Sequence, residues 1–347
     1  MSLPDPQPPR KLSRLGVYAP MAIFVVLAIG WTAFWIWNRA ETGRQMDATA
    51  AELRKAGYQI SWASRGIGGY PFRLNVTLTG FRASEPAGWA VEAPRLESQA
   101  YMHAPGQWII AATEGATVVR PMGGPVAVRG KLIRASLGSL KRYPPSFSFE
   151  GVELTFQPAP GAQPFGLASA ERLEFHTRAG PDDEGGIFAE VKGGKAAPGG
   201  LMAALAGDKP VMFEWNSTLS KMSALTGADW PSAVRAWSAA GGRMTVRRAG
   251  LTAGDAAIGV SAGTLGADSG GRLSGLLDVT LRQAPRALAV MGATGLIPPE
   301  AAAAGAVVIA ARQGTAEAAR ATINFQAGQT TLGPVALGPA PAVYAGR

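Results

Sequence analysis

An uncharged, apolar run from Tyr18 to Trp37 places the firmest constraint on what this chain can fold into. A helix of about 20 residues is about 30 Å long, which matches the hydrocarbon core of a bilayer. The run therefore predicts a membrane-spanning helix over residues 18–37. It follows a proline-rich tail, residues 1–17, that we expect to be disordered.

The charges in front of this run predict its orientation. Arg10, Lys11 and Arg14 precede it, and short segments rich in Lys and Arg stay on the cytoplasmic side of a membrane. We therefore expect the tail in the cytoplasm and the rest of the chain outside. Aromatic side chains favour the membrane–water interface, and we expect that position for Tyr18, Trp31, Trp35 and Trp37.

A cleavable signal peptide is the alternative for this segment. Such a peptide has an apolar stretch of about 7–15 residues, followed by small residues at the cleavage site. The run in this chain is longer and ends in Trp-Ile-Trp-Asn-Arg, which suits a cleavage enzyme poorly. We therefore favour an uncleaved anchor.

Composition limits the chemistry available to the body of the chain. Of the 347 residues, 47% are hydrophobic and 16% are charged, so we expect a well-packed core. There is no cysteine, which excludes disulfides and thiolate nucleophiles. The net charge is +9 without a dense block of Lys and Arg, and a body outside the cytoplasm does not meet nucleic acid.

The periodicity of apolar residues changes near residue 58. Residues 38–57 predict a stalk helix that leaves the membrane. Beyond it, apolar and polar residues alternate in many short runs separated by Gly and Pro turns, which is typical of antiparallel strands. Two of these runs define a candidate apolar face: Leu74, Val76, Leu78, Leu277, Val279 and Leu281.

These patterns predict a mainly β protein with an antiparallel curved sheet, a β-sandwich or a groove, and a few short helices. The Gly-rich segment 193–200 is the candidate linker between an N-terminal β region, residues 58–192, and a C-terminal β region, residues 201–347, with a long loop inside one region as the alternative. Short helices are expected in the C-terminal region after Asp229, over residues 284–293 and over residues 300–304.

The titratable residues form no pattern that indicates catalysis. His103 and His176 lack the spacing of metal ligands, and Asp182–Glu184 is more typical of a solvated turn than of a calcium loop. The sequence also lacks the common motifs that pair a nucleophile with a base. We therefore predict a protein without enzyme activity, metal or cofactor.

Several turn motifs point to a known family. Gly69, Tyr70, Pro71 and Phe72 lead into a strand, and residues 89–94, 101–105 and 333–341 carry further Trp, Tyr and Pro motifs. This pattern resembles the DUF2125 family of alphaproteobacterial envelope proteins, whose members carry an N-terminal membrane anchor. The resemblance implies a bacterial inner-membrane protein with its body in the periplasm.

The C-terminal region carries a second, looser resemblance. Residues 237–246, 263–265 and 270–279 are similar to segments of AsmA-like envelope proteins. Those proteins fold long strands into a lipid-lined groove. The resemblance implies a protein that contacts lipid.

Three functions follow as hypotheses from these patterns. The preferred one is a non-enzymatic periplasmic protein, anchored in the bilayer, that binds or hands over lipid or another apolar ligand. The alternative is an assembly or scaffolding factor that binds an envelope protein through sheet edges or through Trp89 and Trp108. A periplasmic hydrolase ranks third, because the sequence offers no convergent polar set.

Overall fold

The computed structural model describes residues 15–139, 144–227, 229–314 and 316–344. Most of the predicted tail falls outside the described residues. The three basic residues that predict the membrane orientation fall outside them as well: Arg10, Lys11 and Arg14.

A single helix, α1 (Leu15–Lys55), spans both the predicted membrane segment and the predicted stalk. Its 41 residues correspond to a length of about 60 Å. The helix ends where the N–H groups of Gly57 and Tyr58 bond to carbonyls of its last turn, each at 3.0 Å. In the described part of the chain, α1 is the one helix long and apolar enough to cross a membrane, and only 6% of its most apolar window is buried.

Beyond α1, the described residues form 18 strands. Their bounds are β1 (Gln59–Ser61), β2 (Ser64–Gly68), β3 (Arg73–Ser84), β4 (Ala90–Tyr101), β5 (Ala104–Ala111), β6 (Ala116–Arg120), β7 (Gly124–Arg129), β8 (Leu132–Gly138), β9 (Ser146–Pro158), β10 (Leu167–Ala179), β11 (Gly185–Ala196), β12 (Val211–Leu219), β13 (Met244–Ala253), β14 (Ala256–Ala267), β15 (Leu273–Arg282), β16 (Ala319–Gln326), β17 (Gln329–Leu332) and β18 (Val335–Pro339).

These strands belong to one antiparallel sheet. Strand β3 pairs with β1 and β2 along one side and with β4 along the other. One half of β4 pairs with β5 and the other half pairs with β6. Strand β5 then pairs with β8, and β6 pairs with β7. Both β7 and β8 pair with β9. From β9 to β18 each strand pairs with the next one in sequence. The predicted mainly β, antiparallel fold is confirmed.

One face of the sheet is apolar across 13 strands. Directly opposed residues of paired strands share a face, so the register defines a row that we call the inner row. Its members are Ile67, Val76, Ser98, Ile110, Ala135, Phe149, Phe175, Ala189, Trp215, Ala249, Val260, Val279 and Ala321. At roughly 4.8 Å per strand, the inner row is about 60 Å long. A single serine, Ser98, interrupts its apolar character.

The opposite face of the sheet is charged. Four glutamates oppose one another on the neighbouring strands β9 to β12: Glu150, Glu174, Glu190 and Glu214. Like charges in this position repel, and ion pairs with four cations offset the repulsion: Arg134, Arg172, Lys192 and Arg248. The hydrogen bond to Glu174 raises the pKa of Arg172. The charged face is therefore the one suited to water.

The C-terminal half carries helices that the sequence largely predicts. In its described part they are α2 (Leu201–Ala206), α3 (Trp230–Ala239), α4 (Ala284–Ala293) and α5 (Pro299–Gln313). The carboxylate of Asp229 accepts a hydrogen bond of 2.8 Å from the N–H of Ser232, which confirms the predicted cap of α3. Helix α4 has the predicted bounds, and α5 continues beyond its predicted end at residue 304 because its Ala-rich sequence favours helix.

Helices α4 and α5 cover one end of the inner row. Leu288 on α4 and Ile309 on α5 are buried in one cluster with Val260 and Val279. Ile309 has an exposed fraction of 0%. This cluster forms the largest continuous core in the described part of the chain.

The predicted linker does not interrupt the sheet. Strand β11 continues through Gly193 to Ala196, where it still pairs with β10, and Gly194 pairs with Val211 on β12. Helix α2 then begins at Leu201. Sheet hydrogen bonds therefore run from the predicted N-terminal region, residues 58–192, into the predicted C-terminal region.

Candidate functional site

Helix α1 packs back onto the first strands of the sheet. Trp35 is buried in a cluster with Leu74 on β3 and Met102, and Ile67 on β2 packs against the same cluster. Ile67 belongs to the inner row, so α1 covers the end of that row opposite α4 and α5.

An ion pair holds the same helix against the sheet further from the predicted membrane segment. Arg65 on β2 donates two hydrogen bonds to the carboxylate of Asp47 on α1, at 2.6 and 2.9 Å. These hydrogen bonds hold the pKa of Asp47 below its usual value and raise the pKa of Arg65. The bidentate geometry makes this the best-defined polar contact between α1 and the sheet.

Asp47→Asn is expected to lower the melting temperature of the full-length protein at pH 7 and to lower it by less at pH 3. The pKa of Asp47 is lowered in the folded state. Its stabilising effect is therefore complete above the unfolded pKa, about 3.9, and is lost as the pH falls through the folded pKa. Thermal melts of the natural protein and of the variant, in detergent between pH 7 and pH 3, measure the difference in melting temperature. A temperature difference that stays constant over the range would contradict the prediction.

Between α1 and the sheet lies an elongated space of about 1010 Å³, which we call the trough. Its lining is mostly apolar and includes Trp37, Met46, Leu53, Trp62, Leu78 and Trp108. Residues 37–53 of α1 form one wall, which corresponds to about 24 Å along the helix axis. The trough therefore begins at the predicted membrane boundary and leads away from it. Its volume lies at the upper end of the range for small-molecule sites.

The trough reaches strand β8, next to the middle of the inner face. Trp108 and Leu137 line it, and Leu137 is directly opposed to Phe147 on β9. In the middle of the inner row, Phe149 and Phe175 are half-buried, whereas Val76 near one end and Val260 and Val279 near the other are buried. An apolar surface that continues from a membrane segment along a sheet is suited to an extended apolar ligand.

The structure places both halves of the predicted apolar face on the same side of the sheet. Val76 on β3 and Val279 on β15 are members of the inner row, and Leu74, Leu78, Leu277 and Leu281 flank them on their strands. All six side chains are buried. Leu74 and Leu78 line the trough, whereas the three residues of β15 belong to the core beneath α4 and α5.

The predicted anchor residues divide into two groups. Tyr18, Trp31 and Trp37 are exposed on α1, as an interface with lipid requires. Trp35 has an exposed fraction of 7% and packs against the sheet rather than facing outward. The predicted family motif Gly69 to Phe72 forms the turn between β2 and β3 and contacts the same part of α1.

The residues considered for catalysis are not brought together. His103 stacks on Tyr101 in the turn between β4 and β5, and His176 stacks on Phe188 on the charged face. Asp183, in the turn between β10 and β11, accepts hydrogen bonds from the N–H and the hydroxyl of Ser223, which follows β12. No group of three or more His, Asp or Glu residues suited to a metal ion occurs in the described part of the chain.

Sequence reasoning missed the lining of the trough. Trp62, between β1 and β2, and Leu137 on β8 line the trough but do not belong to the predicted apolar face. Phe149 on β9 is a member of the inner row that the predicted face also lacks. A signal was present, since Phe147 and Phe149 alternate with serines in the sequence Ser-Phe-Ser-Phe.

Comparison with known proteins identifies the family to which the chain belongs. No curated protein and no solved structure matches the chain. A family model, described as an uncharacterized protein conserved in bacteria (DUF2125), matches residues 35–341. The match begins at Trp35, which is buried against the sheet, and includes the trough and the whole sheet. The chain therefore belongs to the DUF2125 family.

Proposed function

We propose that this protein is a non-enzymatic lipid-binding protein of the bacterial inner membrane, anchored by α1 with its body in the periplasm. The apolar, outward-facing residues of α1 between Tyr18 and Trp37 support the anchor. The basic residues of the tail, Arg10, Lys11 and Arg14, support the orientation. The bacterial family supports the choice of membrane.

The trough is the observation that carries lipid binding. It starts beside Trp37, where the membrane segment is proposed to leave the bilayer, and its walls are mostly apolar. A lipid that enters from the bilayer could keep its acyl chain in contact with apolar side chains along the whole trough. Exposing a methylene group to water costs about 0.8 kcal/mol, so apolar walls allow a chain of ten or more carbons to leave the bilayer without that cost.

Handover of the lipid along the inner row is the second part of the proposal. The row carries apolar side chains from β2 beside the trough to the half-buried Phe149 and Phe175 on β9 and β10, before α4 and α5 cover its other end. The AsmA-like motifs of the C-terminal region support the same reading, because AsmA-like proteins line a groove of strands with lipid.

The experiment that tests lipid binding is a quantitative analysis of the lipid that copurifies with the full-length protein in mild detergent. Extraction followed by mass spectrometry is expected to give at least one lipid per chain after extensive washing. A protein that retains none in stoichiometric amount would overturn the proposal.

Scaffolding remains the second candidate because of one exposed aromatic residue. Trp89, in the turn between β3 and β4, has an exposed fraction of 49%. Exposed tryptophans are frequent anchors of protein interfaces. Trp108, the other residue considered for such an interface, lines the trough.

A further inference from the structure

The sheet contacts α1 within the predicted membrane segment as well as beyond it. The indole N–H of Trp31 donates to the carbonyl of Pro71 at 2.8 Å, and the hydroxyls of Thr32 and Tyr70 are 2.8 Å apart. Trp31 lies six positions before Trp37, which corresponds to about 9 Å along the helix. The turn between β2 and β3 therefore reaches past the proposed membrane boundary, towards the bilayer.

Two neighbouring turns share this position. The turn at residues 101–103, between β4 and β5, is joined to the first turn by a hydrogen bond of 3.0 Å from the N–H of Met102 to the carbonyl of Phe72. Both turns present exposed aromatic residues, and Phe72 has an exposed fraction of 68%. Tyr70 and Tyr101 are exposed beside it. Exposed aromatic residues next to a membrane segment are typical of surfaces that enter the headgroup region.

Two arginines border these aromatic residues. Arg39 lies over the ring of Trp35 at 5.9 Å, and Arg73 lies over the ring of Tyr101 at 5.1 Å. No ion pair with a carboxylate is formed by either arginine within the described residues. Guanidinium groups bind phosphate oxygens well, and an arginine beside an apolar tip is suited to a phospholipid headgroup.

The local backbone favours a fixed turn rather than a flexible one. Gly69 has a φ of +100°, and a Cβ at this position would lie 2.8 Å from the carbonyl oxygen of Arg73. Trp35 donates its indole N–H to that same carbonyl at 2.9 Å and packs edge-on against Tyr70. These contacts hold Phe72 in place beside α1.

We propose that the turns at residues 70–72 and 101–103 insert into the periplasmic leaflet beside α1, with Arg39 and Arg73 at the level of the lipid phosphates. The proposal rests on the proposed function in one respect, because it takes α1 as the membrane anchor. Insertion places the end of the trough at Trp37 within the leaflet, so that an acyl chain enters the trough without crossing water.

Labelling of single cysteines tests the insertion, since the natural chain has no cysteine. Phe72→Cys and Trp89→Cys place an environment-sensitive fluorophore at two exposed aromatic positions at opposite ends of β3, about 40 Å apart. The full-length proteins are reconstituted in vesicles of phosphatidylethanolamine and phosphatidylglycerol that contain brominated acyl chains. Bromine quenching is expected to be at least threefold stronger at position 72 than at position 89, and equal quenching at the two positions would overturn the proposal.

A second variant separates headgroup binding from insertion of the aromatic tip. Arg73→Gln, introduced with Phe72→Cys, is expected to weaken quenching most in vesicles rich in phosphatidylglycerol, with an unchanged melting temperature. Quenching that does not respond to this change would overturn the role of Arg73.

A label at position 72 that is not quenched, in a protein that still copurifies with lipid, would overturn insertion and leave lipid binding intact. A quenched label in a protein without copurified lipid would support insertion and overturn lipid binding.

Discussion

Met46→Asp is expected to reduce the lipid that copurifies with the full-length protein at least about tenfold. Met46 is half-buried on α1 and lines the trough. A carboxylate at this position would face apolar side chains and an acyl chain, and burying an unpaired charge costs several kcal/mol. Because about 1.4 kcal/mol corresponds to a factor of ten in affinity, occupancy falls sharply. Lipid extraction and mass spectrometry measure the change.

Ala48→Asp is the matched control for this variant. Ala48 is exposed, lies two positions further along the same helix and does not line the trough. The control adds the same charge to the same turn of α1 but outside the trough, so any effect of the charge on lipid bound around the predicted membrane segment is the same in both variants. Equal lipid content in the two variants would contradict the assignment of the trough as the binding site.

Gly275→Ala is expected to lower the free energy of unfolding by at least about 2 kcal/mol. Gly275 on β15 has a φ of +122°, and an added Cβ would overlap the carbonyl oxygen of Thr264 on β14. Both the backbone strain and the overlap disturb the pairing of β14 with β15, which carries Val260 and Val279 of the inner row. Chemical denaturation of the full-length protein in detergent measures the loss.

Gly259→Ala is the control for this substitution on the paired strand β14. A Cβ at position 259 would meet no heavy atom within 4 Å. Alanine in a strand is favoured over glycine by up to about 1 kcal/mol, so the control is expected to retain stability or to gain it. A similar loss of stability in the two variants would show that the conformation of Gly275 is not what the pairing requires.

The strands were largely predictable because their period of two is strong. Leu74, Val76 and Leu78 alternate with polar residues, and each of the three is buried on β3 as the pattern requires. The relation between distant strands was not predictable in the same way. A shift of one residue in any pair of strands would move all later side chains to the other face. Val76 and Val279 therefore share one row only because each pair of strands between β3 and β15 has the register that the structure shows.

The candidate site could be predicted only in part. The length and apolarity of the run from Tyr18 to Trp37 predict a membrane helix, but they do not reveal that α1 folds back against the sheet. That arrangement depends on contacts between residues far apart in sequence, such as Arg65 with Asp47 and Trp35 with Leu74. Trp35 was expected at the membrane interface because an amphipathic indole suits that position equally well.

Photo-crosslinking at two phenylalanines of the same sheet tests the central proposal, lipid on the inner face, most directly. Phe149 lies in the middle of the inner row, and Phe188 lies on the charged face two strands away. Each is replaced in the full-length protein by a benzophenone-bearing analogue of phenylalanine, irradiated in living cells and analysed by mass spectrometry. We predict a lipid adduct at position 149 and none at position 188. A protein adduct instead of lipid at position 149, or equal lipid labelling at both positions, would contradict lipid binding along the inner row.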